Sequence, residues 1–216
     1  MEEDEQGKIS KGFDRDIDYE PMKNKLIEEY NKIYDITETM DTNEPSYISK
    51  RRNCIHKMMY LTIAMIQLRN ASRIIEACKA FKLMLKSEDI SKPVLVKIAK
   101  SESIKTNKHK KEIKTKARFR KMKFPVDWIT LKLKDAMIFY SSAILCVRFK
   151  QRVLDYLLKY FNCNTHSLRY ACINYLISVK KLPLTEVASY CGHSNIQQLI
   201  RYTQNKNVDK IFELDL

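Results

Sequence analysis

Hydrophobic residues recur every three or four positions over most of this chain, and that period predicts a largely helical protein. The first clear example is MKNKLIEEYNKIYDI, residues 22–36, which predicts a short amphipathic helix. Its apolar face consists of Leu26, Ile27, Tyr30, Ile33 and Tyr34. Further helices are expected at about 46–69, 72–86, 126–142, 146–160, 165–180, 183–190 and 194–204. Ser72 is the expected N-cap of its helix, because a serine hydroxyl can accept a hydrogen bond from the first turn.

Two stretches in the middle of the chain depart from the helical period. PVLVKIA, residues 93–99, is rich in β-branched residues and predicts a strand. ARFRKMKFPV, residues 117–126, is expected to pair with it as a hairpin that ends at Pro125, with a loop between the two strands. The pattern therefore predicts an α+β protein that is mainly α-helical and carries a small antiparallel β-hairpin.

Charge is distributed unevenly along the 216 residues, which carry a net charge of +14. Residues 1–45 hold 14 acidic and 6 basic residues, a net of −8, so the remainder carries +22. We interpret residues 1–45 as an acidic, partly disordered tail with a short helix, and residues 46–216 as one globular domain with a boundary near Pro45. A domain this basic attracts polyanions, and double-stranded DNA is the expected partner.

A membrane partner is not expected. No apolar run approaches the ~18 residues of a membrane span, and neither end of the chain shows a basic amphipathic or lipidated segment. The six cysteines form no C-x-x-C pair, which is typical of reduced thiols. We expect a soluble protein of the cytoplasm or nucleoid, or a virus- or plasmid-encoded protein that acts inside the host cell.

The densest positive charge lies in and between the two predicted strands. Residues 97–123 contain 12 Lys or Arg and 2 Glu, a net of +10. Such a run is usually a solvated loop, but at the end of a hairpin it can enter a groove and neutralise phosphates. The candidate DNA-binding residues are Lys105, Lys108, Lys110, Lys111, Lys114, Lys116, Arg118 and Arg120.

Candidate chemistry is concentrated near the C-terminus. In THSLRY, His166 and Arg169 are three residues apart in the first turn of a predicted helix, where free N–H groups already favour an anion. A shorter helix then stops at Gly192, the expected C′ glycine, and His193 follows it. Tyr202 comes nine residues after His193. The order and spacing of these residues indicate one shared site.

The pattern H-S-L-R, then G-H-S with its histidine 24 residues after that arginine, then tyrosine nine residues on, resembles the catalytic box of the tyrosine recombinases, the phage-integrase and Xer-type enzymes. That family carries a first catalytic arginine upstream, near a glutamate. Here NASRIIEACKAF supplies Arg73 and Glu76, and Arg73 lies 96 residues before Arg169. The resemblance implies that residues 46–216 have the fold of that family's catalytic domain.

The resemblance also implies a role for each residue. Arg73 and Arg169 would hold the scissile phosphate, with His166 as general acid/base and His193 as a further hydrogen-bond donor. Tyr202 would attack the phosphorus to give a 3′-phosphotyrosine. A hairpin lysine would protonate the leaving 5′ oxygen; Lys100 is favoured, and Lys114 and Lys116 remain open. The family needs no metal, ATP or other cofactor, and its members are expected to be monomers in free solution that assemble as homo-tetramers on DNA.

Other interpretations stay open at this point. Cys163 and His166 together with Cys191 and His193 have the spacing of a zinc site. The chain could also be a catalytically decayed or accessory DNA-binding protein. In a third alternative the chain cuts and rejoins DNA through the same phosphotyrosine but does not recombine two sites. A type IB topoisomerase, which relaxes supercoils, and a telomere resolvase, which seals hairpin ends, are such enzymes.

Overall fold

The computed structural model describes residues 17–99, 101, 104–106, 112–114, 116–193, 196 and 199. Its α-helices are α1 (Tyr19–Glu38), α2 (Tyr47–Asn70), α3 (Ile74–Lys86), α4 (Lys134–Tyr140), α5 (Val147–Phe161), α6 (Thr165–Asn174) and α7 (Leu184–Cys191). Its strands are β1 (Val94–Lys97), β2 (Ile104–Thr106), β3 (Glu112–Lys114) and β4 (Phe119–Met122). The predicted fold class, α+β and mainly helical with a small antiparallel sheet, is confirmed.

Helix α1 packs along α2 and contributes to the main hydrophobic core. Leu26 and Tyr30 are fully buried, as expected for the apolar face of an amphipathic helix. The hydroxyl oxygen of Tyr30 also accepts a hydrogen bond from the backbone N–H of Lys132 at 3.1 Å. The predicted helix is therefore confirmed and is longer than expected. The boundary near Pro45 stays a prediction.

Helix α2 is the central element of the core. Its second half is buried on every side from Met58 to Leu68, and α1, α3, α4, α5 and α6 all pack against it. The helix ends at Asn70, and its C-cap residue Ala71 has a φ of 46°, in the left-handed region. Because α2 ends in this tight turn, the chain changes direction within a few residues and begins α3, and Ala71 and Ser72 in the turn are fully buried.

The start of α3 differs from the prediction. Arg73, rather than Ser72, is the N-cap, and the side chain of Glu76 accepts from its backbone, which is the Glu half of a capping box. The backbone N–H of Arg73 donates to the Glu76 carboxylate at 3.3 Å. The Ser72 side chain is buried and has no hydrogen-bond partner, so it cannot be the cap.

The predicted hairpin is confirmed, with β1 antiparallel to β4 and Val94 opposite Met122. The sequence predicted a simple loop between these strands, and that prediction is wrong. The segment contains a second antiparallel pair, β2 and β3, with Ile104 opposite Lys114. The helical period is absent there, and strands of three residues leave too little alternation to be recognised.

The later helices match the prediction with two corrections. Residues 126–133 are turns and irregular backbone rather than helix. Helix α4 begins only after Leu133, whose φ of 57° is left-handed, and is followed by a 3₁₀ turn, Ser141–Leu145. The helix expected to reach residue 180 ends instead in a π-helical turn, Tyr175–Val179. The helix predicted at 194–204 lies outside the described residues, apart from Ile196 and Leu199. None of the described helices is long and apolar enough to cross a membrane.

Candidate active site

Arg169 joins three segments that are distant in the sequence. It projects from the first half of α6 and is only 2% exposed. One guanidinium nitrogen, Nη1, donates to the backbone carbonyl of Ala71, and Nη2 donates to that of Cys191 at 3.1 Å. The turn between α2 and α3, the start of α6 and the end of α7 therefore meet at one guanidinium group.

His193 completes this junction. Gly192 ends α7 with a φ of 72°, and the backbone N–H of His193 then donates to the carbonyl of Ala188 at 2.9 Å. This turn places Nε2 of His193 2.5 Å from Nη2 of Arg169. Because a guanidinium can only donate, Nε2 must be the acceptor, and the neutral imidazole carries its proton on Nδ1.

Arg73 is oriented by a buried carboxylate. Its Nη1 lies 3.2 Å from Oε1 of Glu76 and 3.5 Å from the carbonyl oxygen of Ala99. Glu76 is fully buried and also accepts a hydrogen bond from the backbone N–H of Ala99 at 2.9 Å. The Arg73 side chain keeps 27% of its surface exposed, so it can still reach a ligand.

Arg73 and His166 line the same cleft, which has a volume of about 530 Å³. His166 is exposed in the first turn of α6, where the Asn164 side chain caps the helix by accepting from the His166 backbone N–H at 2.8 Å. Lys79 and Lys97 line the cleft as well, and no acidic residue is among its described lining residues. The cleft is therefore cationic and suits an anion such as a phosphate.

Sequence reasoning did not single out Lys79 and Lys97 as separate site residues. Lys79 lies on α3, two turns after Arg73, and Lys97 is the last residue of β1. The signals for them were weak: Lys97 lies inside the predicted strand and in the basic stretch 97–123, and Lys79 follows the predicted site residue Arg73 by six residues.

Gln67 fixes the start of α6 against the end of α2. It is 1% exposed, lines the cleft, and donates from Nε2 to the backbone carbonyl of Thr165 at 2.5 Å. This contact holds the first turn of α6, and with it His166, against the segment that carries Arg73.

The three candidate DNA-binding residues whose side chains are described lie in different environments. Lys116 is exposed, and Arg118 donates from Nη2 toward the Gly192 carbonyl at 3.5 Å. Arg120 is only 7% exposed, lies 3.7 Å from Glu76, and donates to the carbonyl of Asn70. Burial lowers the pKa of Arg120, an effect that the nearby Glu76 carboxylate opposes. Its charge therefore faces inward, and its predicted contact with DNA stays a prediction.

Several predicted site residues cannot be placed. Tyr202, Lys100, Lys108, Lys110 and Lys111 lie outside the described residues. The backbones of Lys105 and Lys114 belong to β2 and β3, but their side chains are not among those described.

The alternative zinc site has little geometric support within the described part of the chain. Cys163 and Cys191 are both buried, and no group of three His, Cys, Asp or Glu residues there could hold a metal ion. Burial raises the pKa of Cys191 to about 11, although the nearby Arg169 opposes this. In the absence of a metal ion, the thiol of Cys191 is therefore protonated at neutral pH.

The fold and the site together define a basic, mainly helical protein whose cleft presents arginine and histidine side chains. No protein-family model matches the chain, and no solved structure matches it. It is 42% identical over 209 residues to "Putative integrase V10" of the Sputnik virophage, covering 95% of this chain and 91% of that protein. It is 29% identical over 201 residues to "Putative integrase ORF241" of Acidianus two-tailed virus, covering 93% and 68%. The chain therefore belongs to the family of viral integrases that the virophage protein represents.

Proposed function

We propose that this protein is a site-specific DNA recombinase or integrase that cuts and rejoins DNA through a 3′-phosphotyrosine intermediate. The observation that carries the proposal is the junction of Arg169 with His193, next to a cleft that holds Arg73 and His166. Three distant segments contribute these four side chains. The names of the two viral relatives agree with a role in DNA integration.

The proposed chemistry begins with the hydroxyl of Tyr202. Its oxygen attacks the phosphorus while His166 accepts the phenolic proton, so a P–O bond to tyrosine forms. The bond from phosphorus to the 5′ oxygen breaks, and a lysine protonates that oxygen to give a 5′-hydroxyl. Attack by a 5′-hydroxyl of the partner strand reverses these steps, restores the tyrosine and completes strand exchange.

Charge stabilisation would come from the two arginines. In the transition state, negative charge spreads over the non-bridging phosphate oxygens, and planar guanidinium groups match that geometry. Arg73 is partly exposed and lines the cleft, so it can contact the phosphate directly. Arg169 is only 2% exposed and is held by two backbone carbonyls, so its fixed charge would act from beneath the site beside His193. Groups fixed in advance need no reorganisation when the charge develops.

His193 would be a further hydrogen-bond donor to the phosphate. Its Nε2 faces Arg169, so the donor of the neutral ring is the Nδ1–H. The phosphotyrosine bond conserves the energy of the phosphodiester, so the proposed cycle uses neither ATP nor a metal ion. We further propose that monomers assemble as a tetramer on two DNA duplexes.

A nicked suicide substrate tests the proposal directly. After cleavage, the short strand with the freed 5′-hydroxyl diffuses away, and the covalent protein–DNA complex should survive denaturant. Tyr202→Phe removes only the attacking oxygen, so it should abolish this complex while duplex binding changes less than about twofold. Tyr34→Phe, on α1, is the matched control and should form the complex normally.

A second pair of variants tests the cleft. Arg73→Ala should abolish the covalent complex and weaken duplex binding, whereas Arg69→Ala should preserve the complex. Arg69 is the matched control because its side chain is 25% exposed, close to the 27% of Arg73. It pairs with Asp127 and does not line the cleft. A wild-type protein that binds DNA without ever becoming attached would indicate a decayed recombinase. Attachment through another tyrosine would show that Tyr202 is misassigned.

A further inference from the structure

A second groove lies away from the candidate active site. It runs between the first half of α2, the α4–3₁₀ segment and α5, and has a volume of about 1230 Å³. Its cationic lining residues are Lys50, Arg52, Lys57, Arg152 and Lys159. Its tyrosine and phenylalanine lining residues are Tyr60, Phe139, Tyr140, Tyr156 and Tyr160. Among the described lining residues, Asp155 is the only acid, so the groove is strongly positive.

The groove and the cleft occupy different parts of α2. Tyr60 is the last residue of α2 that lines the groove, and Gln67, which lines the cleft, follows it by seven residues. At 1.5 Å per residue this is about 10 Å along the helix axis, and no described residue lines both sites. A ligand in the groove therefore does not fill the cleft.

Two aromatic rings of the groove are unusually exposed. Phe139 is 79% exposed and Tyr160 is 48% exposed. Each is backed by another ring, because Phe139 lies edge-to-face with Tyr140 at 5.0 Å between centroids and Tyr160 lies 4.6 Å from Tyr156. The Lys159 ammonium group lies 5.3 Å from the centroid of the Tyr160 ring. Supported rings beside cations can stack a planar ligand and bind its negative charge.

The difference from the cleft indicates the class of ligand. No Phe, Tyr or Trp is among the described residues that line the cleft. Cations alone suffice for a duplex, whose bases remain stacked on one another and whose phosphates face outward. Exposed rings add affinity where bases are unpaired, because each free base face can stack on an aromatic side chain.

We propose that this groove binds an unpaired strand of nucleic acid. Its bases stack on Phe139 and Tyr160, and its phosphates pair with Arg52 and Arg152. The side chain of His56 also lines the groove and forms an edge-to-face contact with Tyr140 at 4.9 Å. Burial and the nearby Arg152 and Arg52 lower the pKa of His56, so its ring is neutral at pH 7.5 and offers one donor and one acceptor.

Binding to matched oligonucleotides tests the proposal. A labelled single-stranded DNA of 20 nucleotides and the duplex of the same sequence are titrated with the full chain by fluorescence anisotropy. The double variant Phe139→Ala and Tyr160→Ala should weaken single-strand binding by about tenfold or more and duplex binding by less than twofold. Both rings are exposed, so the variant should fold, and thermal unfolding checks this.

Matched controls test whether any loss of binding comes from the groove itself or merely from removing exposed apolar or cationic side chains. The double variant Val147→Ala and Val179→Ala removes two apolar side chains that are 78% and 62% exposed and do not line the groove. It should bind both ligands normally. Arg52→Ala with Arg152→Ala should weaken single-strand binding, whereas Lys180→Ala with Lys181→Ala should not. Single-stranded RNA of the same sequence shows which kind of unpaired strand the groove prefers.

Three outcomes would overturn the proposal. The double variant Phe139→Ala and Tyr160→Ala, the ring variant, could bind single strands as well as the wild-type protein does, or its single-strand and duplex binding could fall equally. Polyglutamate could instead displace the oligonucleotide while the ring variant binds it normally, which would identify an acidic peptide as the ligand. The groove and the cleft remain separable, because the ring variant should still form the covalent DNA complex and Tyr202→Phe should still bind single strands.

Discussion

Glu76 is the residue on which the arginines of the site depend most. It has no exposed surface, yet it accepts hydrogen bonds from Arg73 and from the backbone of Ala99, and Arg120 lies 3.7 Å away. A buried carboxylate without such partners would be strongly destabilising. Together the three charged groups form a network in which each member orients another.

Replacing Glu76 with glutamine tests this network. Glutamine has nearly the same shape but no charge, so the buried Arg120 loses its counter-ion. Glu76→Gln should lower the free energy of unfolding by about 3 kcal/mol, measured by urea denaturation. Glu186→Gln, at an exposed position on α7, should change it by less than about 0.5 kcal/mol. An equally small change at Glu76 would mean that the network contributes no stability.

The identity of the general-acid lysine can be resolved by chemistry. Lys100, Lys114 and Lys116 are each replaced by alanine, and cleavage is measured on a substrate whose leaving 5′ oxygen is replaced by sulfur. A thiolate leaves without protonation, so only the variant that lacks the general acid should regain cleavage on this substrate. Rescue of none of the three would mean that the proton comes from another group.

Among individual residues, the sequence predicted that Arg169 and His193 would lie together but not how they are held. The spacing of the two C-terminal segments implied that Arg169 and His193 share a site, and they are in contact. Their roles stay predictions. Lys79 and Lys97 could not be assigned to the cleft from the sequence, because their approach depends on how β1 packs against α3.

Among the elements, the end of α7 controls the position of His193. Gly192 has a φ of 72°, and a Cβ added there would lie 3.0 Å from Cδ1 of Ile98. Any other residue would therefore meet both backbone strain and a close contact with the segment after β1. The turn is built tightly enough to fix the direction in which His193 leaves the helix.

The variant Gly192→Ala should separate activity from stability. Left-handed backbone costs alanine about 1 kcal/mol, while the shift away from Ile98 should move His193 away from Arg169. Covalent complex formation should fall at least about tenfold with only a modest drop in melting temperature. Adding Ile98→Ala removes the close contact but not the strain, so partial recovery is expected. Normal activity of Gly192→Ala would show that this turn does not position the histidine.

Helices and strands were predictable where the hydrophobic period was long. The helices α1 and α2 and the pairing of β1 with β4 followed from their patterns. The β2–β3 pair and the turns at 126–133 did not, because three-residue strands carry no period and a left-handed Leu133 has no sequence signal. The cap of α3 was misassigned by one residue, since Ser72 had the better propensity.

For the whole molecule, the uneven charge is the dominant property. The acidic N-terminal 45 residues carry −8 and the rest carries +22. Part of the acidic segment belongs to α1, whose apolar face is in the core, so deleting all 45 residues would disrupt packing. Residues 1–16 contain six acidic and three basic residues, a net of −3, and can be removed without touching α1.

Removing residues 1–16 should raise duplex affinity by about threefold at 0.1 M salt, because their net negative charge competes with DNA phosphates. Binding is measured by anisotropy across a salt series, and the gain should vanish above about 0.5 M salt. A full-length variant with three of the six acidic side chains changed to amides brings the net charge of this segment to zero, as its removal does, so it is the matched control and should show the same gain. Equal affinity of all three proteins would exclude competition by this segment.

The same salt series measures how many phosphates the basic domain neutralises. Each contact contributes about 0.9 to the slope of log affinity against log salt, so a lysine-rich hairpin together with the site arginines should give a slope steeper than about −3 for duplex DNA. A slope shallower than about −2 would mean that the lysine-rich hairpin remains solvated instead of binding DNA.

The turn after α2 has a consequence for how this family can diverge. Arg120 and Arg169 are anchored to the main-chain oxygens of Asn70 and Ala71, and every amino acid supplies the same oxygen. The Asn70 side chain is constrained separately, because its amide donates to the carbonyls of Ile66 and Lys123 and accepts from the backbone N–H of Lys123. Residue 71 must also be small enough for a φ of 46°. Homologues that keep both arginines should therefore keep an asparagine at residue 70 and a small residue at 71, so this turn should be recognisable by residue identity as well as by its geometry.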